Sequence, residues 1–142
     1  MRRRAWSVAL GAVLVLACTR QGDSGDNNLM EQGRLYTSWL YGSEYQKLWD
    51  RFSPEMRQAF GSVTELGNFA GAAVTRLGAE SGAVDERLDQ AEPFRIYSRS
   101  ASFDKAAHRM LLEWSLAEDG VVTGLVLRPE APARAQPSAP AQ

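Results

Sequence analysis

Large hydrophobic side chains recur at helical spacing through the first half of the chain. The earliest such stretch has two pairs of apolar residues separated by four positions, Leu35 with Trp39 and Tyr36 with Leu40. Because residues four apart lie on the same face of a helix, this spacing predicts an amphipathic helix over residues 29–41.

Three further helices are predicted from hydrophobic spacing and from residues that commonly cap helices. Ser43 and Ser62 each stand three positions before a Gln or a Glu, the pattern of a capping box, and Ser53 precedes Pro54. Glycine just past the last apolar position is a common helix stop. The predicted helices cover residues 43–52, 54–60 and 62–77.

After Gly82 the hydrophobic positions alternate with a period of two, which is typical of strands. In the clearest stretch Leu112 and Trp114 share one face, while Glu113 lies on the other. The predicted strands cover residues 84–91, which would form a charged sheet edge, and residues 94–103, 108–116 and 121–127. Helices followed by strands predict the α+β class, with the helices covering one face of a strongly curved antiparallel sheet.

The first eighteen residues carry the most specific pattern in the chain. Arginines at positions 2–4 precede an uncharged run that ends at Ala17 and is too short to span a bilayer as a helix. This pattern predicts a signal peptide over residues 1–17. The run ends Val15-Leu16-Ala17-Cys18, which resembles the lipobox of bacterial lipoproteins. The resemblance implies cleavage before Cys18 and acylation of that residue; the alternative is an ordinary cleavage site beside an incidental cysteine.

The lipobox resemblance also implies a location. Two or three acyl chains on Cys18 would anchor the protein stably in a membrane, whereas one chain binds only marginally. Thr19, rather than an aspartate, follows the cysteine, which favours the outer membrane where the organism has one. We therefore expect a lipid-anchored protein of the cell envelope that faces the periplasm or the cell surface.

Polar and proline-rich segments flank the predicted domain. Residues 18–28 have no large apolar side chain and are predicted to form the lipid attachment site and a flexible tether. Residues 129–142 contain four of the chain's six prolines and predict a disordered or polyproline-like tail. We interpret the tail as a spacer; the alternative is a contact with peptidoglycan or a partner. The folded domain is then expected over residues 29–128.

Composition excludes several function classes. The 142 residues include 16 Lys+Arg and 17 Asp+Glu, so the chain lacks the basic excess of a nucleic-acid-binding protein. One cysteine and one histidine are too few for a disulfide framework or for a Cys/His zinc site. The sequence has neither an Asp-rich calcium loop nor a Gly-rich phosphate loop. We expect no metal and no cofactor.

Three stretches of the predicted domain resemble a known family. They read YTSWLYGSEYQKLWDRFSPEMRQAFGS, RIYSRSASFDK and LLEWSLAEDGVVTGLVLRP, and they are similar to small secreted domains found ahead of serine hydrolases and β-lactamase-like enzymes. Those domains belong to the nuclear-transport-factor-2-like superfamily. The resemblance covers residues 29–129 and implies a cone of helices on a bent sheet, a homodimer formed through the sheet, and a hydrolase partner. The superfamily also contains isomerases and cyclases, so the fold does not decide the function.

Candidate pocket residues follow from chemistry and spacing. Trp39, Tyr45, Trp49 and Tyr97 are aromatic residues at helical or strand spacing, which is more typical of core than of catalysis. Glu113 stands mid-strand among apolar residues. Facing a cavity, its carboxyl would have a raised pKa and could act as an acid or base; we favour an outward or cross-strand-paired position. No catalytic residue is assigned.

Two classes of function fit these observations. The first is a lipid-anchored extracytoplasmic binding or interaction module without catalytic activity, which holds a small apolar ligand or assists a separately encoded hydrolase. The alternative is a small isomerase- or cyclase-type enzyme that uses Glu113 or a tyrosine in its pocket. The absence of a recognisable catalytic motif favours the first.

Overall fold

Helices precede strands along the chain, as the hydrophobic pattern predicts. A computed structural model describes residues 22–131. The elements are α1 (Gly22–Tyr41), α2 (Tyr45–Trp49), α3 (Pro54–Phe60), α4 (Val63–Leu77), β1 (Glu80–Ala91), β2 (Phe94–Phe103), β3 (Met110–Leu116) and β4 (Val122–Pro129). All strands belong to one antiparallel sheet in the order β1-β2-β3-β4. The α+β class is confirmed. The strongly curved, cone-shaped sheet is not, because the strands form an open sheet that is not strongly curled.

Helix α1 begins seven residues before the predicted start of the domain. Its first turns therefore lie in the segment that we expected to be a flexible tether. The Oδ1 atom of Asp26 in these turns lies 3.5 Å from Nε of Arg95 in β2, and Leu29, which follows them, is buried in the core. Residues 1–21, including the predicted signal peptide and Cys18, lie outside the described residues, as do residues 132–142 of the predicted tail.

The cap of α2 also differs from expectation. Ser43 adopts a positive φ of 62°, and α2 starts at Tyr45 without a side-chain cap. The other two predicted caps are confirmed, since Ser53 Oγ accepts from the Met56 backbone nitrogen at 3.2 Å and Ser62 Oγ accepts from that of Glu65 at 3.1 Å. Each hydroxyl satisfies a backbone donor that the first helical turn leaves free.

The core fills the space between the helices and one face of the sheet. Strand register places Tyr97, Trp114 and Leu125 side by side on this helix-facing side. Trp114 is fully buried and donates from Nε1 to Oγ1 of Thr37 in α1 at 3.0 Å, so its polar atom is satisfied. The fully buried core residues include Tyr36, Tyr97, Trp114, Leu48, Leu66, Ala70, Leu112, Leu116 and Val122.

Candidate ligand-binding site

An apolar cavity of about 190 Å³ lies between α4 and the sheet. Helix α4 provides one wall with Ala70, Ala73 and Leu77, while Phe103 of β2 and Leu127 of β4 provide the opposite one. The three α4 residues are separated by three and four positions, so one face of the helix supplies the whole wall. Because two of these side chains are alanines, the helix leaves unfilled space above the sheet.

Two polar residues reach this cavity, Tyr41 at the end of α1 and Glu80 at the start of β1. The ring of Tyr41 meets Phe103 edge to face, with centroids 5.9 Å apart. Burial, together with the negative charge of Glu80, raises the pKa of Tyr41 to about 12. The phenol is therefore neutral at physiological pH and can donate one hydrogen bond.

The carboxylate of Glu80 is held by Arg99 of β2. Its two oxygens lie 2.5 Å from Nη2 and 3.1 Å from Nε of Arg99, a bidentate pair. The same guanidinium donates from Nη1 to Glu86 at 2.6 Å. The hydrogen bonds to Glu80 raise the pKa of Arg99 above its ordinary value, although burial opposes the rise. Glu80 is thus engaged by Arg99, and this pairing makes it a poor candidate for a free general base.

A register shift in β1 brings both glutamates to Arg99. Ser81 pairs with Ser102, and in an unbroken ladder Asp85 would oppose Ser98, but it opposes Ser100. The two extra residues of this bulge place Glu86 opposite Arg99, while Glu80 remains near enough to bind the same guanidinium.

Glu86 joins this pair to Tyr97. It accepts from Tyr97 Oη at 2.5 Å and, through its other oxygen, from Nε of Arg34 at 2.9 Å. Burial by itself would raise the pKa of Glu86, but the hydrogen bonds from Tyr97, Arg34 and Arg99 outweigh it and lower the pKa. Burial and the bond to Glu86 raise the pKa of Tyr97. Tyr97 is therefore a neutral donor within a network of paired charges.

The predicted pocket residues are not brought together around the cavity. Tyr97 is fully buried behind α1, and Trp39 packs against Tyr36 with ring centroids 5.6 Å apart. The ring of Tyr45 lies against Gly67 of α4. Trp49 lies beside Phe52 and under the guanidinium of Arg57, at centroid distances of 6.0 Å. These aromatic residues pack in or around the core.

Glu113 lies on the face of the sheet that points away from the helices. The register pairs it with Ser98 and Val126, on the side opposite Trp114. Its carboxylate lies 3.3 Å from Ser98 Oγ and 3.8 Å from Nη2 of Arg128. This is the outward, cross-strand-paired position that we favoured, and the apolar cavity lies on the other side of the sheet.

Sequence reasoning missed the roles of Glu80, Glu86 and Arg99. One signal was present. Arg99 lies two positions from both Tyr97 and Ala101 on β2, so it shares their helix-facing side of the sheet. A charged side chain on the side of a sheet that packs against helices requires a partner, because burying an unpaired charge is costly. The identity of that partner depends on the bulge in β1, which periodicity does not reveal.

Residues 22–131 contain no group of three His, Cys, Asp or Glu side chains that could hold a metal ion. Over the same range no helix is long and apolar enough to cross a bilayer. In comparisons with models of known families, with curated proteins and with solved structures, the chain shows no match.

Proposed function

We propose that the protein is a lipid-anchored extracytoplasmic module that binds a small apolar ligand without catalysing a reaction. The cavity between α4 and the sheet carries this proposal. Apolar cavities of about 150 Å³ stay dry and can bind a molecule the size of benzene, and this one measures about 190 Å³. Tyr41 and the paired carboxylate of Glu80 are its two polar lining residues, which suits the few, placed polar contacts of ligand pockets.

The membrane anchor rests on the lipobox-like sequence at Cys18. Cleavage before this residue would leave only three residues between Cys18 and the start of α1 at Gly22. The domain would then sit close to the bilayer, in the periplasm or at the cell surface, with the outer membrane favoured where one exists.

The relationship to the nuclear-transport-factor-2-like superfamily is part of the same proposal. Its support is the order of the elements, four helices followed by an antiparallel meander, together with the three sequence stretches that resemble the family. The resemblance carries two further proposals, a homodimer through the sheet and a separately encoded hydrolase as partner.

An isomerase- or cyclase-type enzyme is the second candidate. The observation that favours it is a phenol and a carboxylate, Tyr41 and Glu80, at one apolar cavity. We rank it below binding because Arg99 occupies both oxygens of Glu80, and because a phenol with a pKa of about 12 is a poor acid near neutral pH.

A cavity-filling substitution tests the binding proposal. Residues 19–142 retain the whole described fold, whose core residues all lie between Leu29 and Val122. Native mass spectrometry would reveal a co-purifying small molecule, and the neutral fluorescent probe N-phenyl-1-naphthylamine would report the cavity directly. We expect Ala73→Phe to weaken probe binding at least about tenfold. Ala72→Phe, on the exposed side of the same helix, is the matched control.

Circular dichroism and thermal unfolding establish that both variants fold. If folded Ala73→Phe binds the probe as tightly as Ala72→Phe does, the cavity is not the binding site and the proposal fails. Should Ala73→Phe unfold, Ala70→Leu provides a smaller filling change in the same wall.

The anchor is tested separately in cells that export the full chain. An alkyne fatty acid should label the wild-type protein, and Cys18→Ser should lose the label. Labelling that persists in the serine variant would contradict lipidation at this residue.

A further inference from the structure

The apolar cavity continues into a groove at the C-terminal end of α4. The groove encloses about 380 Å³ and is adjacent to the cavity, because both are lined by Phe69, Ala73, Leu77 and Leu127. Phe69 is 45% exposed, so part of this apolar surface faces solvent. An extended apolar ligand could therefore fill the cavity and continue along the groove without leaving apolar contacts.

Two cationic residues line the groove, Arg76 in the last turn of α4 and Lys105 after β2. The Nζ atom of Lys105 donates to the carbonyl oxygen of Thr75 at 3.3 Å, which holds the ammonium at the end of the helix. Its aliphatic stem crosses Gly78, where an added Cβ would stand 3.0 Å from Cγ of Lys105. Within the described part of the chain, neither cation forms an ion pair with a carboxylate.

The charges at the two ends differ in sign. The groove has Arg76 and Lys105, whereas the cavity has the carboxylate of Glu80. Because Arg99 already pairs with both oxygens of Glu80, the cations that can attract an anionic group lie at the groove end. A ligand with one anionic head and one apolar chain is thereby oriented, with its head in the groove and its chain in the cavity.

We infer that the ligand is a monomeric fatty acid whose carboxylate is bound by Arg76 and Lys105. This inference rests on the proposed function, because it assumes that the cavity takes a ligand, and it adds the ligand's class and orientation. The methyl end of its acyl chain fills the cavity beside Ala73, and the remainder of the acyl chain lies along Phe69 and Leu127. Arginine and lysine both suit a carboxylate head, the first through its planar fork and the second as a compact charge.

The test compares three probes on residues 19–142. Dodecanoate carries the proposed head and chain, dodecanol has the same chain without the charge, and vesicles of phosphatidylglycerol present anionic lipid as a membrane. Dodecanoate and dodecanol are measured by displacement of N-phenyl-1-naphthylamine, and the vesicles by flotation. The variant is Arg76→Gln with Lys105→Gln. The control is Lys47→Gln with Arg128→Gln, which removes the same net charge from other exposed sites.

We expect the Arg76→Gln, Lys105→Gln variant to weaken dodecanoate binding at least about tenfold. Its binding of dodecanol and of the fluorescent probe should be unchanged, and the control should bind dodecanoate as the wild type does. Added salt should weaken dodecanoate binding in the wild type, since the two cations are exposed to solvent.

Other outcomes overturn the inference in distinguishable ways. If dodecanoate and dodecanol bind equally and only cavity filling weakens them, the proposed function stands and the fatty-acid assignment fails. Binding to the vesicles without binding of monomeric dodecanoate would make the groove a membrane contact instead. If the wild type binds neither the fluorescent probe nor dodecanoate, the proposed function itself fails.

Discussion

The ring of Tyr97 occupies the space that a side chain at Gly33 would need. A Cβ atom at Gly33 would overlap Cγ of Tyr97 and stand 2.5 Å from Cδ2 and 2.6 Å from Cδ1. Helix α1 therefore approaches β2 at a distance that only glycine allows. This close approach lets α1 pack directly on the sheet and cover Tyr97 completely.

Gly33→Ala should destabilise the fold because it overpacks this contact. We expect a loss of about 1–3 kcal/mol in the free energy of unfolding, even though alanine is the better helix former. Gly25→Ala is the control in the same helix, where an added Cβ has no neighbour within 4 Å. That variant should be neutral or more stable by up to about 1 kcal/mol. Urea unfolding that gives the two variants equal stability would contradict the packing argument.

Glu86→Gln should destabilise the fold through lost charge rather than lost volume. Glutamine still accepts from Tyr97, but it no longer neutralises Arg34 and Arg99. We expect a cost of about 1.5–3 kcal/mol, the range for hydrogen bonds to charged groups. Asp89→Asn on the same strand removes a carboxylate from an exposed pair with Arg87 and should cost less than about 1 kcal/mol. Urea unfolding measures the loss of unfolding free energy in both variants. Equal losses would mean that the Glu86 ion pairs stabilise the fold no more than an exposed pair does.

Alkaline pH should destabilise the protein partly through Tyr41. Its pKa is about 12 in the folded protein and about 10 in an unfolded chain. The folded state therefore holds this proton where the unfolded state releases it, and the free energy of unfolding falls as pH rises from about 10 towards 12. We expect Tyr41→Phe to lose less stability than the wild type between pH 9 and pH 11, measured by urea unfolding. If the free energy of unfolding falls equally in both proteins, titratable groups other than Tyr41 cause the alkaline sensitivity.

Glu113→Gln should leave the protein almost unchanged. The carboxylate lies on the outer face of the sheet, 3.8 Å from an exposed arginine, Arg128, and such pairs contribute about 0–1 kcal/mol. We expect no change in binding of N-phenyl-1-naphthylamine, since the cavity lies on the opposite face. A tenfold loss of binding in a folded Glu113→Gln variant would place the carboxylate in the binding site and would falsify the outward assignment.

The sequence by itself determined the local features of this fold. Alternation in β3 predicts that Leu112 and Trp114 share a face and that Glu113 points the other way, and the register confirms this division. The caps at Ser53 and Ser62 could also be predicted, because each depends on residues within one helical turn. Ser43 has the same cap pattern, but its positive φ prevents it from capping α2.

The cavity and the charge network were decided only by the tertiary structure. The alanines of α4 become a cavity wall because this helix lies across from Phe103 and Leu127, which come from strands distant in sequence. Glu80 and Glu86 meet Arg99 because a bulge shifts the register of β1 by two residues. Hydrophobic periodicity is set by neighbouring residues, whereas register and helix placement depend on contacts between distant segments. The sequence therefore determined which faces are buried, and the packing of those faces decided where a ligand could bind.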